Sequence, residues 1–411
     1  MDTASAAASI EVQSLPARNR TLRIAVVTET YPPEVNGVAL TLARLVEGVR
    51  SANHDVQLIR VRRDASDQSD PDDSREILMR GIPIPRYPSL RMGMPARRAL
   101  TRLWRVDRPD VVHIATEGPL GWSALKAALQ LQLPVSSDFR TNFHAYSGYY
   151  GIGFLHRPIM AYLRRFHALA HLTLVPTEAL RETLEDAGFR GLRVVARGVD
   201  TALFSPSARS EQLRAGWGVS GDDLVVCCVG RLAAEKNLQL VIRSWRAIQR
   251  VQPRARLLLV GDGPQRQALQ AECPDAMFAG QRSGEDLAAH YASSDLFLFP
   301  SLTETFGNVT LEAMACGLPV VAFDGAAAQA LISSGVNGLR VARGDEQAFV
   351  DAAVLLAGEP PRRQAIGARA RLKAEESDWA SITERFTSEL SRLIASRKSL
   401  ESARALRLAR P

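Results

Sequence analysis

The sequence predicts an α/β protein made of two doubly wound domains that face each other across a cleft. At 411 residues the chain is longer than one ordinary core supports, so two domains of roughly 150 to 200 residues are expected. Short apolar runs alternate with amphipathic helical stretches, the pattern of parallel sheets covered on both faces. The alternation falters near residue 200 and then restarts, which places the junction.

Residues 1–20 have no basic start ahead of an apolar core, so they read as a loose tail and not as a signal peptide. The first domain is expected over 21–200. Leu22 to Thr28 is a buried-strand pattern, followed by the loop Tyr31-Pro-Pro-Glu-Val-Asn-Gly37 and an amphipathic helix from about Val38 to Ala52. Val56 to Val61 is a second strand, and the Asp/Ser-rich stretch Asp64 to Ser74 reads as an exposed loop. Asp110 to Ile114 is a strand, a helix runs from Gly118 to about Leu131, and Pro134 to Ser137 is a short strand ending at the turn Asp138 to His144. Shorter strands at Leu172 to Pro176 and Val194 to Val199 lead into a connector near Pro206. The second domain is expected over 201–378, with strands at Leu224 to Gly230, Ala255 to Gly261, Ala276 to Phe278, Asp295 to Pro300, Pro319 to Ala322 and Gly338 to Val341. Residues 379–411 form a basic amphipathic stretch that either crosses back to the first domain or extends as a tail.

Composition narrows the function classes. The net charge of +7 and pI near 9.5 point to an anionic partner. The basic clusters Arg86 to Arg108, Arg157 to Arg165 and Arg392 to Arg410 lack the regular alternation with aromatics that a single-strand binder needs, so nucleic acid is not an expected partner. The Arg86 to Arg108 segment carries Tyr87, Leu90, Met92 and Met94 among its basics, which reads either as a helix lying on anionic lipid or as a loop packed on its own domain. No apolar run approaches the ~20 residues of a spanning helix. The four cysteines show no metal spacing, and Asp70-Pro-Asp72 falls in a polar loop, so neither metal nor cofactor is expected.

The most informative segment is Pro300-Ser-Leu-Thr-Glu-Thr-Phe-Gly-Asn-Val-Thr-Leu-Glu312. It reads as a strand end, a polar turn and a helix start, and a helix start offers free N–H groups and a positive dipole end to phosphate. Phe306, Gly307, Asn308 and Val309 supply that start; Glu304 is suited to sugar hydroxyls and Glu312 to a ribose diol. Three further loops follow strands. Gly230-Arg-Leu-Ala-Ala-Glu-Lys-Asn-Leu238 brings two cations, Arg231 and Lys236, to a glycine turn, which suits a diphosphate. Val260-Gly-Asp-Gly-Pro264, with Gly261 and Gly263, and Phe278-Ala-Gly-Gln281, with Gly280, could floor a nucleobase or be plain strand-to-helix turns.

In this order the motifs resemble the donor half of the retaining nucleotide-sugar glycosyltransferases of family four, which have the GT-B fold of two Rossmann-like domains. The resemblance covers roughly residues 22 to 375, and Glu304-x7-Glu312 with Phe306-Gly307 is its most specific part. It implies that Arg231 and Lys236 hold the donor diphosphate, Glu304 the transferred sugar and Glu312 the ribose, with Gly37 approaching from the other domain. The turn Asp138 to Tyr146 departs from the family's Phe-His-Thr: Arg140 stands at the matching position and His144 follows, and either is a candidate contact to the sugar or its phosphate. The activity implied is retaining transfer of a hexose to a hydroxyl acceptor. Mannose from GDP-mannose and a membrane glycolipid are favoured, for a protein expected in the cytoplasm, either free or peripheral on the inner face of the cytoplasmic membrane. A UDP-glucose or UDP-glucuronate donor, a glycan acceptor, a nucleotide-sugar epimerase and a non-catalytic nucleotide-binding protein are the alternatives.

Overall fold

The computed structural model describes residues 21–34, 36–64, 67–69, 75–84, 87–139, 156–221, 223–304 and 306–408. The chain opens with β1 (Arg23–Thr28), β2 (Asp55–Val61), β3 (Glu76–Met79), β4 (Gly81–Ile84), β5 (Tyr87–Gly93), β6 (Val111–Ile114), β7 (Val135–Asp138), β8 (Leu172–Val175) and β9 (Leu192–Val194). It continues with β10 (Val225–Val229), β11 (Arg256–Val260), β12 (Met277–Gly280), β13 (Leu296–Phe299), β14 (Val320–Phe323) and β15 (Leu339–Val341). Among the described residues these make two parallel sheets, ordered β3-β2-β1-β6-β7-β8-β9 and β12-β11-β10-β13-β14-β15, and an antiparallel hairpin of β4 and β5.

Strands such as Val-Val-Cys-Cys-Val of β10 and Leu-Phe-Leu-Phe of β13 are apolar throughout because both faces are covered, and every residue of both is buried. Each face of the second sheet has its own core. One is closed by Trp245, Phe349 and Leu356, the other by Tyr291, Phe306 and Met314. The four cysteines, all buried, are free thiols. The helix Trp379–Leu408 returns to the first sheet, where Phe386, Leu390, Leu393 and Ile394 join the cluster that holds Ile24, Val26 and Leu42.

One expectation needs correcting. The Arg86 to Arg108 segment is no single lipid-facing helix, because β5 pairs with β4 and a separate helix spans Arg97–Val106. Pro88 sits inside β5, where a helix would lose a hydrogen bond and clash. The hairpin is pressed onto its domain: a Cβ on Gly81 would stand 2.2 Å from Val61 Cγ1, and one on Gly93 2.6 Å from Leu120 Cβ. In the polar stretch after β2, Asp64, Gln68 and Ser69 are exposed, Asp67 turns inward, and residues 65, 66 and 70–74 lie outside the described residues. Asp67 accepts from buried Arg60 at 2.7 and 2.9 Å, which holds its carboxyl below the usual carboxylate range.

Candidate active site in the cleft between the sheets

In both sheets the strand order reverses at one place, β1 beside β6 and β10 beside β13. At such a switch point the loops leave the strand ends in opposite directions and open a crevice, which is where doubly wound sheets bind ligands.

After β10, Gly230 takes φ +147 and the chain passes through exposed Arg231 into a tight turn over Ala234–Lys236. Asn237, at φ +52, then starts the helix Leu238–Gln249. The loop after β13 is stitched to this turn, since Leu302 N donates to the Glu235 carbonyl at 2.8 Å. That stitch brings Lys236 Nζ into a direct ion pair with Glu304 Oε1, which also accepts from Ser301 Oγ at 2.9 Å. The paired side chains are only 14% and 15% exposed. The sequence suggests phosphate for one and sugar for the other, and the structure brings the two side chains into contact. A solvent-open hollow of about 290 Å³ lies beside Glu304, lined also by Phe299, Phe306, Gly325 and Arg343.

The loops after β10, β11 and β12 pack backbone on backbone. Gly230 N donates to Val260 O at 2.9 Å, Leu232 N to Asp262 O at 2.9 Å, and Gly261 N to Gly280 O at 2.8 Å. A Cβ on Gly263 would lie 2.5 Å from Leu232 O, so the glycines of this turn are demanded by close approach.

Gly307, at φ +89, begins the helix Asn308–Ala315, and no side chain caps that start. Its first-turn amides therefore keep their dipole end for another acceptor. The Asn308 side chain reaches across the cleft instead: Oδ1 accepts from Arg197 Nη1 at 3.1 Å and Nδ2 donates to Thr41 Oγ1 at 3.3 Å. Thr41 Oγ1 in turn donates to the Gly37 carbonyl at 2.6 Å, so Gly37 is brought to the same place. The helix of Gly37, unlike that of Asn308, is capped, by Asn36 Oδ1 accepting from Val38 N and Ala39 N. Arg140 and His144, like Asp70 and Asp72, lie outside the described residues. Among the described residues no group of three His, Cys, Asp or Glu could hold a metal ion. Reasoning from sequence missed Ser301, Thr41 and Arg197; the one signal for Arg197 is a lone charge in the apolar run Val194 to Val199.

Glu312, one turn into its helix, accepts from Tyr291 OH at 2.9 Å, yet burial pushes its carboxyl up to about 7. A protonated carboxyl accepts through its carbonyl oxygen alone, whereas the ionised form accepts at both oxygens and more strongly, so a ribose diol held here would favour the ionised form. The affinity for GDP is therefore expected to rise as pH climbs from 5 to 7 and to level above it. Titration calorimetry across that range checks this against Glu312→Gln, whose profile retains only the phosphate's own titration. Superimposable profiles would remove Glu312 from the ribose.

Residues 35–203 match the family described as Glycosyltransferase Family 4, and residues 223–359 that described as Glycosyl transferases group 1. Over 359 residues the chain is 37% identical to a GDP-mannose-dependent alpha-mannosyltransferase of Mycobacterium tuberculosis, covering 85% of this chain and 91% of that one. It is 32% identical to the sulfoquinovosyl transferase SQD2 of Arabidopsis thaliana, over 77% of this chain and 63% of that one. The crystal structure of Anabaena HepE with UDP superposes with a TM-score of 0.71 at 20% identity, covering 90% of this chain and all of that one, a likeness of fold. With both sheets of the GT-B fold in place and this identity sustained across them, the chain belongs to family four of the retaining glycosyltransferases.

Proposed function

We propose that this glycosyltransferase moves mannose from GDP-mannose to a hydroxyl of a membrane glycolipid. The observation that carries the reading is the meeting of Lys236, Glu304 and the uncapped Asn308 helix start at the switch point of the second sheet. Arg231 and Lys236 bind the diphosphate, Glu304 the sugar and Glu312 the ribose, with the glycine turns beneath the base. As the bond from the sugar's C1 to the diphosphate oxygen breaks, the acceptor oxygen bonds to C1 on the same face. Its proton passes to a donor phosphate oxygen. Charge grows on the leaving group, so Lys236, Arg231 and the helix dipole lower the barrier without a protein nucleophile. The relatives named GDP-mannose-dependent support the donor. A UDP-glucose donor is a second reading, favoured by a relative, 28% identical, named alpha-monoglucosyldiacylglycerol synthase.

The acceptor reading rests on the first domain's surface. Among the described residues no helix is long and apolar enough to cross a membrane. Arg97, Arg98, Arg102 and Arg105 are exposed on one short helix, with exposed Met94 and Ile82 nearby in sequence, which suits peripheral attachment to an anionic leaflet at the cytoplasmic membrane.

One experiment tests both parts. Purified protein is given GDP- and UDP-hexoses and a lipid extract, either in anionic vesicles or dispersed in detergent, and products are read by mass spectrometry. A lipid heavier by one hexose is expected from GDP-mannose, and product from a UDP-sugar alone would overturn the donor. Arg97→Glu with Arg98→Glu is expected to slow transfer on vesicles and spare it in detergent; equal rates in both would remove the membrane.

A further inference from the structure

We propose that Arg197 is an additional ligand of the donor diphosphate, supplied by the segment joining the domains, and that it exchanges its bond to Asn308 for one to a phosphate oxygen. The inference rests on the nucleotide-sugar reading above and adds a residue to it.

Arg197 follows β9 in a connector that is firmly held. Val199 N donates to Ser377 O at 3.0 Å, and a Cβ on neighbouring Gly198 would stand 2.9 Å from the Trp379 ring. The arginine is only 6% exposed, and its guanidinium lies 5.8 Å from the centre of the Phe306 ring. Nη1 is 3.1 Å from Asn308 Oδ1 and 3.7 Å from where a Cβ on Gly37 would be. The cation therefore stands between the starts of two helices, Gly37–Ser51 from one domain and Asn308–Ala315 from the other.

Three positive features converge there, the guanidinium and two helix dipole ends, and each favours an anion. The partner seen at Nη1 is a neutral amide oxygen. That bond has an ionised donor but a neutral acceptor, whereas a phosphate oxygen brings the opposite charge and fits the guanidinium fork, so a diphosphate outcompetes Asn308. Gly37 keeps the approach open, because any longer side chain would fill the gap before Arg197. Arg231 and Lys236 belong to loops of the second sheet alone, whereas Arg197 touches the starts of both domains' helices. Its bond to phosphate therefore tightens with closure of the cleft.

The test is calorimetric titration of the full chain with GDP and with guanosine, comparing wild type, Arg197→Met, Arg197→Lys and Thr41→Val. Arg197→Met is expected to weaken GDP by about 10- to 100-fold, as loss of a hydrogen bond to a charged group does, with guanosine unchanged. Arg197→Lys, which keeps the charge without the fork, should fall between and decides the matter if the methionine variant does not fold. Thr41→Val breaks the interdomain bond to Asn308 together with the bond to the Gly37 carbonyl, leaves the guanidinium in place, and should bind GDP within threefold of wild type. GDP binding within threefold of wild type in Arg197→Lys and Arg197→Met would overturn the role, as would an equal loss in Thr41→Val, which would make it domain packing. A wild type that binds neither GDP nor UDP would instead defeat the underlying nucleotide-sugar reading.

Discussion

Lys236→Ala is expected to lower kcat/KM for sugar transfer by about 10²–10³-fold, the usual loss when one preorganised group facing developing charge is removed. The backbone of the tight turn over Ala234–Lys236 is fixed by Lys236 N donating to Ala233 O at 3.0 Å and by left-handed Asn237, and the ammonium itself is held by Glu304 and lies 5.4 Å from the centre of the Phe299 ring. Leaving-group charge is larger in the transition state than in the bound donor, so kcat should fall more than KM rises. The direct pairing with Glu304 adds a second expectation. Because each side chain holds the other, Glu304→Ala also disturbs Lys236, and the double variant should lose less than the sum of the single losses. Steady-state kinetics on the four proteins of that cycle measure both effects. Transfer by Lys236→Ala within threefold of wild type would mean that the lysine does not meet the leaving diphosphate and serves only to steady Glu304.

The cycle also shows where reading the sequence stops. Apolar runs such as those of β10 and β13 are legible because a strand buried on both faces has no polar position, and the glycine and phosphate-turn residues are legible because they follow such strands. Contacts between distant residues leave no such trace. Sixty-eight positions separate Lys236 from Glu304, and the bonds from Leu302 N and Ser301 Oγ to the Glu235 carbonyl help make them one unit. Asn308 reads as a helix-start residue facing phosphate, but its side chain is engaged by Arg197 and Thr41, the latter 267 positions away. Hairpin β4–β5 was obscured differently. Its mixture of arginine, tyrosine and proline reads as a helix lying on lipid, while the packing that fixes it as a hairpin lies at Val61 and Leu120. The raised carboxyl of Glu312 likewise depends on how deeply the helix is buried, a property of the assembled core. With its ordinary value near 4.5 and its folded value about 7, the folded chain holds this proton where the unfolded one has lost it. Its contribution to stability therefore falls as pH rises from 4.5 to 7.

Gly261→Ala is expected to abolish donor binding at accessible GDP concentrations and to destabilise the second domain by about 2–4 kcal/mol, the range of severe single substitutions. Gly261 sits at φ +133, where an L side chain is already strained. A Cβ there would stand 1.9 Å from Gly230 O and 2.9 Å from Gly230 C, both main-chain atoms that no rotamer change can move. Relief requires the β10 loop to separate from the β11 loop, breaking the bonds from Leu232 N to Asp262 O and from Gln265 N to Leu232 O. Arg231 and Lys236 ride on the displaced segment, so the diphosphate ligands move with it. Gly358→Ala supplies the contrast. That glycine ends the helix Glu346–Gly358 with nothing within 4 Å of the added carbon, so a neutral or slightly stabilising change of up to about 1 kcal/mol is expected from the stiffer unfolded chain. Denaturant unfolding and GDP titration of the two variants separate the cases. Wild-type affinity and midpoint in Gly261→Ala would mean that the two loops part freely, and the backbone contact between them could not then be what aims the cations at the diphosphate.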